Sequence, residues 1–182
     1  MSDHREQIVD LDTPAAAASE RAQQVRGWLV DSGWAVPGGD VDDRHPDEVV
    51  LQASPHTLER WPGLGYLSLV VPLGDVFVAG DGTGAPRCPA CSTEQPSWDE
   101  VMGWIDSGAE PRSTCANCGW DAPLGDWDLV ESLAPGPLAV VLNPSSTVGR
   151  GGLLDAPGIA RALGADLSVA LGGRWTHVHF HG

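Results

Sequence analysis

Lysine is absent from this chain of 182 residues: all ten basic residues are Arg, set against 25 acids, and the formal net charge is −15. No apolar run approaches the roughly 20 residues that a membrane-spanning helix needs. The N-terminus, MSDHREQIVDLDT, lacks the apolar core of a secretory signal. These absences point to a cytoplasmic protein with no membrane partner. Neither a Walker loop, nor a G-x-S-x-G elbow, nor a Ser-His-Asp order is found, so no recognisable catalytic constellation is in view. The glycine-rich GDGTG at 80–84 lacks dinucleotide-binding spacing and leads to a cysteine turn, not a helix.

Positive charge is scarcest in one region. Residues 88–128 hold eight acids and one Arg, Arg112, whereas residues 129–182 hold three of each and residues 1–87 hold fourteen acids and six Arg. Phosphate contact needs Arg or Lys. The acidic middle therefore argues against nucleic acid and for a protein partner more basic than this chain.

Hydrophobic residues make up 42% of the chain, enough for a core. Thr13-Pro14 reads as a helix start, with Ala18, Ala22, Val25 and Leu29 on one face and Gly33 as the stop. Trp34 to Val36 and Glu48 to Gln52 read as short strands. Residues 65–80 read as a hairpin turning at Pro72-Leu73-Gly74-Asp75. Ser97 and Glu100 have capping-box spacing before a short helix that places Val101, Trp104 and Ile105 on one face. PLAVVLN, 137–143, reads as a buried strand. Ile159, Leu163, Leu167 and Leu171 form a helical stripe ended by Gly172-Gly173, with a strand at 167–171 as the alternative. RWTHVHFHG closes the chain as a strand. The sum predicts an α+β fold: a mostly antiparallel sheet with helices packed on it. Residues 1–12 are expected to be a flexible N-terminus, and residues 13–182 one domain with an insert at about 86–128.

That insert carries the chemistry. The four cysteines, Cys88, Cys91, Cys115 and Cys118, form a C-x2-C-x23-C-x2-C pattern. Each C-x2-C turn aims two sulfurs at one ion, and two such turns close a tetrahedral site with no open position. The predicted cofactor is a structural Zn2+; iron suits the same donors, and paired redox dithiols are the remaining alternative. A closed site has no place for water or substrate, so the metal is not catalytic.

The stretch CPAC…TCANCG…APLGDWD resembles a set of small uncharacterised bacterial proteins that carry an inserted CPxC…TCPxCG…APLxDW zinc ribbon. The matching residues are Cys88, Pro89, Cys91, Thr114, Cys115, Cys118, Gly119, Ala122, Pro123, Leu124, Asp126 and Trp127. The resemblance covers about the second half of the chain; it implies the metal and the insertion and supplies no activity.

Two further clusters stand out. His177, His179 and His181 alternate along the last strand and share one face. Neighbours on one strand face lie nearly 7 Å apart, too far for three to chelate one ion comfortably, so exposed histidines on a terminal strand are expected. Asp40, Asp42, Asp43, His45, Asp47 and Glu48 lack the EF-hand pattern and read as a solvated loop. Taken together, a non-enzymatic protein-binding protein with a structural zinc is expected. The alternative is an enzyme or small-molecule binder using the C-terminal histidine face with nearby carboxylates.

Overall fold

The computed structural model describes residues 4–38, 48–70, 76–81, 83–94, 98–144 and 156–182. The acidic loop at 40–47, the Pro72–Asp75 turn, Gly82 and Ser97 lie outside them.

Among the described residues, ten strands and four α-helices follow in chain order: β1 (His4–Asp10), α1 (Ala18–Asp31), β2 (Ala35–Val36), β3 (Glu48–Ala53), α2 (Pro55–Arg60), β4 (Leu64–Val70), β5 (Val76–Val78), α3 (Trp98–Ser107), β6 (Arg112–Thr114), β7 (Asp121–Pro123), β8 (Leu133–Pro135), β9 (Leu138–Pro144), α4 (Ala156–Leu171) and β10 (Trp175–His181). Six strands form one antiparallel sheet in the order β10-β1-β9-β4-β3-β2. Two small ladders, β5-β8 and β6-β7, stand beside it. The fold is α+β, as the periodicities predict. No helix among the described residues is long and apolar enough to cross a membrane.

β9 is buried on both faces, which explains its unbroken apolar run. Leu138, Val140 and Leu142 join Val25 and Leu29 of α1 and Ile159, Leu163 and Leu167 of α4 in one core. Ala139 and Val141 point the other way, into a second core with Val9 and Val178. The far side of that second core comes from the cysteine-bearing segment: Cys88, Cys115, Val101, Trp104, Leu124 and Trp127. The predicted insert is therefore a layer over the sheet.

Residues 4–12 contradict the flexible tail expected over residues 1–12. β1 lies between β10 and β9, pairing along His4–Asp10 with the first and Glu6–Asp10 with the second. Ile8 enters one core and Val9 the other, and Leu11 packs against the second. The strand escapes a hydrophobic reading because its buried positions include Glu6, Gln7 and Asp10. Each is satisfied by a distant partner, as buried polar groups must be. Gln7 donates to the Val78 carbonyl at 2.9 Å. Asp10, whose side chain is 0% exposed, accepts from Arg21 at 3.0 Å and from Thr13 Oγ1 at 2.8 Å. Arg21 then donates to the Leu171 and Gly172 carbonyls, the open end of α4.

The predicted 65–80 hairpin is also corrected. β4 pairs with β3 and β9, whereas β5 leaves the sheet and pairs with β8. The run after Asp75 belongs to the second layer. The α4 stripe is helical, so the strand alternative at 167–171 is set aside. α2 has a plain local cause that the periodicity missed: Ser54 caps it by accepting from Thr57 N–H at 3.1 Å, and Pro55 takes the first helical position.

Candidate metal centre

The two cysteine pairs sit on two copies of one turn. In the first, Ser92 N–H donates to the Cys88 carbonyl at 2.7 Å and Cys88 N–H to the Thr93 carbonyl at 2.9 Å. In the second, Gly119 N–H donates to the Cys115 carbonyl at 2.8 Å and Cys115 N–H to the Trp120 carbonyl at 2.7 Å. Both turns need a residue at positive φ directly after the second cysteine: Gly119 at 75° and Ser92 at 60°. Gly119 adopts that region at no steric cost, whereas Ser92 is the only described non-glycine residue held there. β6 and β7 pair on either side of the second turn and hold it closed. Arg87 and Asp128 exchange backbone hydrogen bonds at 2.9 Å and tie the first turn to the return segment.

These turns bring the four sulfurs together. Cys88 Sγ lies 3.6 Å from Cys118 Sγ, and Cys91 Sγ lies 3.6 Å from Cys115 Sγ. All four lie within 4.8 Å of one another, and all are free thiols. A tetrahedron with metal–sulfur bonds of about 2.3 Å has sulfur–sulfur edges of about 3.8 Å. The cluster is thus positioned to hold a metal ion. The first cysteine of each pair is buried, Cys91 is half-buried and Cys118 is exposed, so one side of the tetrahedron faces the second core and the other faces water.

The thiols are unequal before any ion binds. Hydrogen bonds from Asn117 and Thr93 lower Cys91 to about 5. The Trp120 backbone favours a Cys118 thiolate, but desolvation and the three neighbouring sulfurs outweigh it and push Cys118 up to about 12. Four thiolates cannot coexist that closely without a cation, which is the electrostatic reason such a cluster calls for one.

The APLGDW stretch after the second pair fastens this layer to the sheet. Ala122, Leu124 and Trp127 are buried, with Trp127 edge-on to Trp120 at 5.3 Å. Gly125 permits the closest approach: a Cβ there would stand 2.4 Å from Leu11 Cδ1 and 2.7 Å from Glu110 Oε1. Glu110 accepts from Gly125 N–H at 2.6 Å and pairs with Arg174, which also reaches Asp12 at 3.1 Å and Asp126 at 3.2 Å. Hydrogen bonding to Glu110 first, then to Asp12, raises the Arg174 pKa still further above its ordinary value. Glu110 and Arg174 were not legible as a site from sequence. The only available signal was an acid and an Arg 64 positions apart.

The histidine strand differs from the exposed row expected of it. His177 Nε2–H donates to Glu6 Oε2, and His179 Nδ1–H donates to Glu6 Oε1 at 2.8 Å. His4 stacks on His179 at 5.6 Å, and His181 lies 3.9 Å from Glu131. Burial alone would raise Glu6, but the two imidazoles more than offset it and hold the carboxylate at about 2. Glu6 in turn raises His179 above its ordinary value. Among the described residues only the cysteines converge closely enough to share one ion. None of three surface cavities, beside Trp61, beside Arg21 and beside Trp104, is lined by these histidines.

No family model, no curated protein and no solved structure matches this chain.

Proposed function

We propose that this chain is a non-enzymatic interaction protein of the cytoplasm, with a structural zinc in its four-cysteine cluster and a basic protein as its partner. The observation that carries the reading is the closed sulfur tetrahedron, which leaves a bound ion no position for water or substrate. Zinc is favoured because four thiolates in tetrahedral array are its preferred structural donors. Free thiols in a small protein suit a reducing compartment.

The acidity supports the partner. Residues 88–128 carry eight acids against Arg112, and four thiolates around a divalent ion add further negative charge. Phosphate would be repelled from this layer and a cationic protein surface attracted to it. Affinity capture from the native host, followed by a salt series on each captured protein, tests the reading. A basic partner whose affinity weakens as salt rises is expected; saturable, salt-sensitive binding to duplex DNA or RNA would contradict it.

A second reading rests on one observation, the grip of His177 and His179 on Glu6. Imidazoles converging on a carboxylate suit an enzyme or small-molecule site. This reading becomes the better one if neither protein nor nucleic acid binds.

A further inference from the structure

The middle helix of the cysteine layer turns two unlike faces outward and inward. Val101 and Trp104 of α3 are buried in the second core. Trp98 and Met102 are 42% and 45% exposed, and Ile105 is half-buried. At about 100° per residue, Trp98, Met102 and Ile105 fall within an arc of roughly 60°. Trp98 and Met102 stand exposed beside the second core, and Ile105, packed against the edge of that core, continues the apolar stripe toward it.

The stripe runs into a groove. Ile105 also lines a cavity of about 380 Å3 between the C-terminal half of α3 and the body, floored by Trp104 and Val76 and bounded by Leu11–Ala15 and Pro135–Pro137. On the opposite side of the stripe stand Asp99 and Asp106, seven residues apart on one helix face. Neither has an ion-pair partner among the described residues. Asp106 occupies the last turn of α3, where the helix dipole disfavours a carboxylate, and no basic residue in that turn compensates it. A cation supplied from outside would relieve that repulsion.

We propose that this surface seats a basic amphipathic helix of the partner protein. Its apolar side fills the groove against Ile105 and covers Met102 and Trp98. Its cations lie about two turns apart and meet Asp99 and Asp106, which are separated by about 10 Å along their own helix. Trp and Met are the side chains that anchor such contacts, one by area and the other by adaptability. The proposal rests on the interaction reading above and locates it on α3.

The test uses two 18-residue synthetic helical peptides with the same leucine stripe, one carrying Arg and one Glu on the polar face. They are titrated into the metal-containing protein, with binding followed calorimetrically and mapped by hydrogen exchange. The Leu/Arg peptide is expected to bind and to protect residues 98–108. Trp98→Ala with Met102→Ala should weaken it at least tenfold while metal content and melting stay unchanged, because both side chains are exposed. Asp99→Arg with Asp106→Arg should transfer the preference to the Leu/Glu peptide. Absence of binding, equal affinity for the two peptides, or indifference to both double variants would overturn the proposal. So would a dimer of this chain that the Trp98→Ala, Met102→Ala pair dissolves, since a second copy would then own the stripe. A captured basic partner that ignores these variants removes α3 from the interface and leaves the interaction reading standing; failure of the parent protein to capture any basic partner removes both.

Discussion

Ser92 and Gly119 hold the same place in two copies of one turn, each at positive φ and each donating to the carbonyl of the first cysteine of its pair. Only the second copy has the residue that the place favours. A non-glycine residue in the left-handed region costs about 1 kcal/mol. Ser92→Gly is therefore expected to leave the metal cluster intact and to match or raise the melting temperature, whereas Gly119→Ala should lower stability by about 1 kcal/mol. Paired thermal melts on the metal-loaded variants decide it; a loss on Ser92→Gly would mean that the Ser92 side chain contributes what its backbone costs.

Removing residues 1–12 should abolish cooperative folding. The deletion takes out β1, which pairs on both edges and feeds Ile8 and Val9 into opposite cores. Circular dichroism melts of the truncated chain should lack a sigmoidal transition. A melt within a few degrees of the full chain would show that β10 and β9 close up without it.

The Glu6–imidazole cluster should contribute most to stability in a window of mildly acid pH. The folded Glu6 carboxyl, at about 2, lies below its ordinary 4.5. Its contribution is present above that ordinary value and is lost as pH falls toward 2. His179 is raised above its ordinary 6.5 by Glu6, so its contribution is full below 6.5 and is lost as pH rises through the folded value. Both contributions are present together between about 4.5 and 6.5, within which the cluster's contribution should peak. The groups facing this site include His4, His177, His181 and Glu131. The stability lost on Glu6→Gln, read from urea melts of parent and variant across pH, should be largest inside that window and shrink on both flanks. An unchanged profile would show that the Glu6–imidazole contacts do not set it.

Arg174→Gln should loosen the cysteine layer from the sheet. Its guanidinium joins Asp12 of the N-terminal segment to Glu110 and Asp126. The group is partly exposed, so the loss is on the order of 1 kcal/mol. Hydrogen exchange should rise first across residues 108–128; an increase confined to β10 would contradict the bridging role.

What the sequence revealed and concealed follows from the range of the interactions. The α4 stripe, the β9 run and the paired cysteines are local patterns, and each produced the element expected of it. β1 was concealed because Glu6 and Gln7 are neutralised by partners 171, 173 and 71 residues away. The pairing of β5 with β8 was concealed for the same reason, since turn residues mark a break in a strand but not its next neighbour. The cysteines were legible as ligands; that Cys88 and Cys115 also cap the second core was not.

That last point changes the expected cost of losing the metal. If the cysteine layer lifted, Val9, Val141 and Val178 would meet water, at roughly 1.5 kcal/mol or more each. The sum, roughly 5 kcal/mol, rivals the total stability of a small domain, about 5–15 kcal/mol. Cys115→Ser should therefore lower the melting temperature of the whole fold, beyond local loosening of residues 88–128.

The most direct measurement is elemental analysis of protein purified under reducing conditions, beside the Cys115→Ser variant. About one zinc per chain is expected in the parent and a large loss in the variant. Parent protein that folds with neither zinc nor iron bound would contradict the metal centre itself.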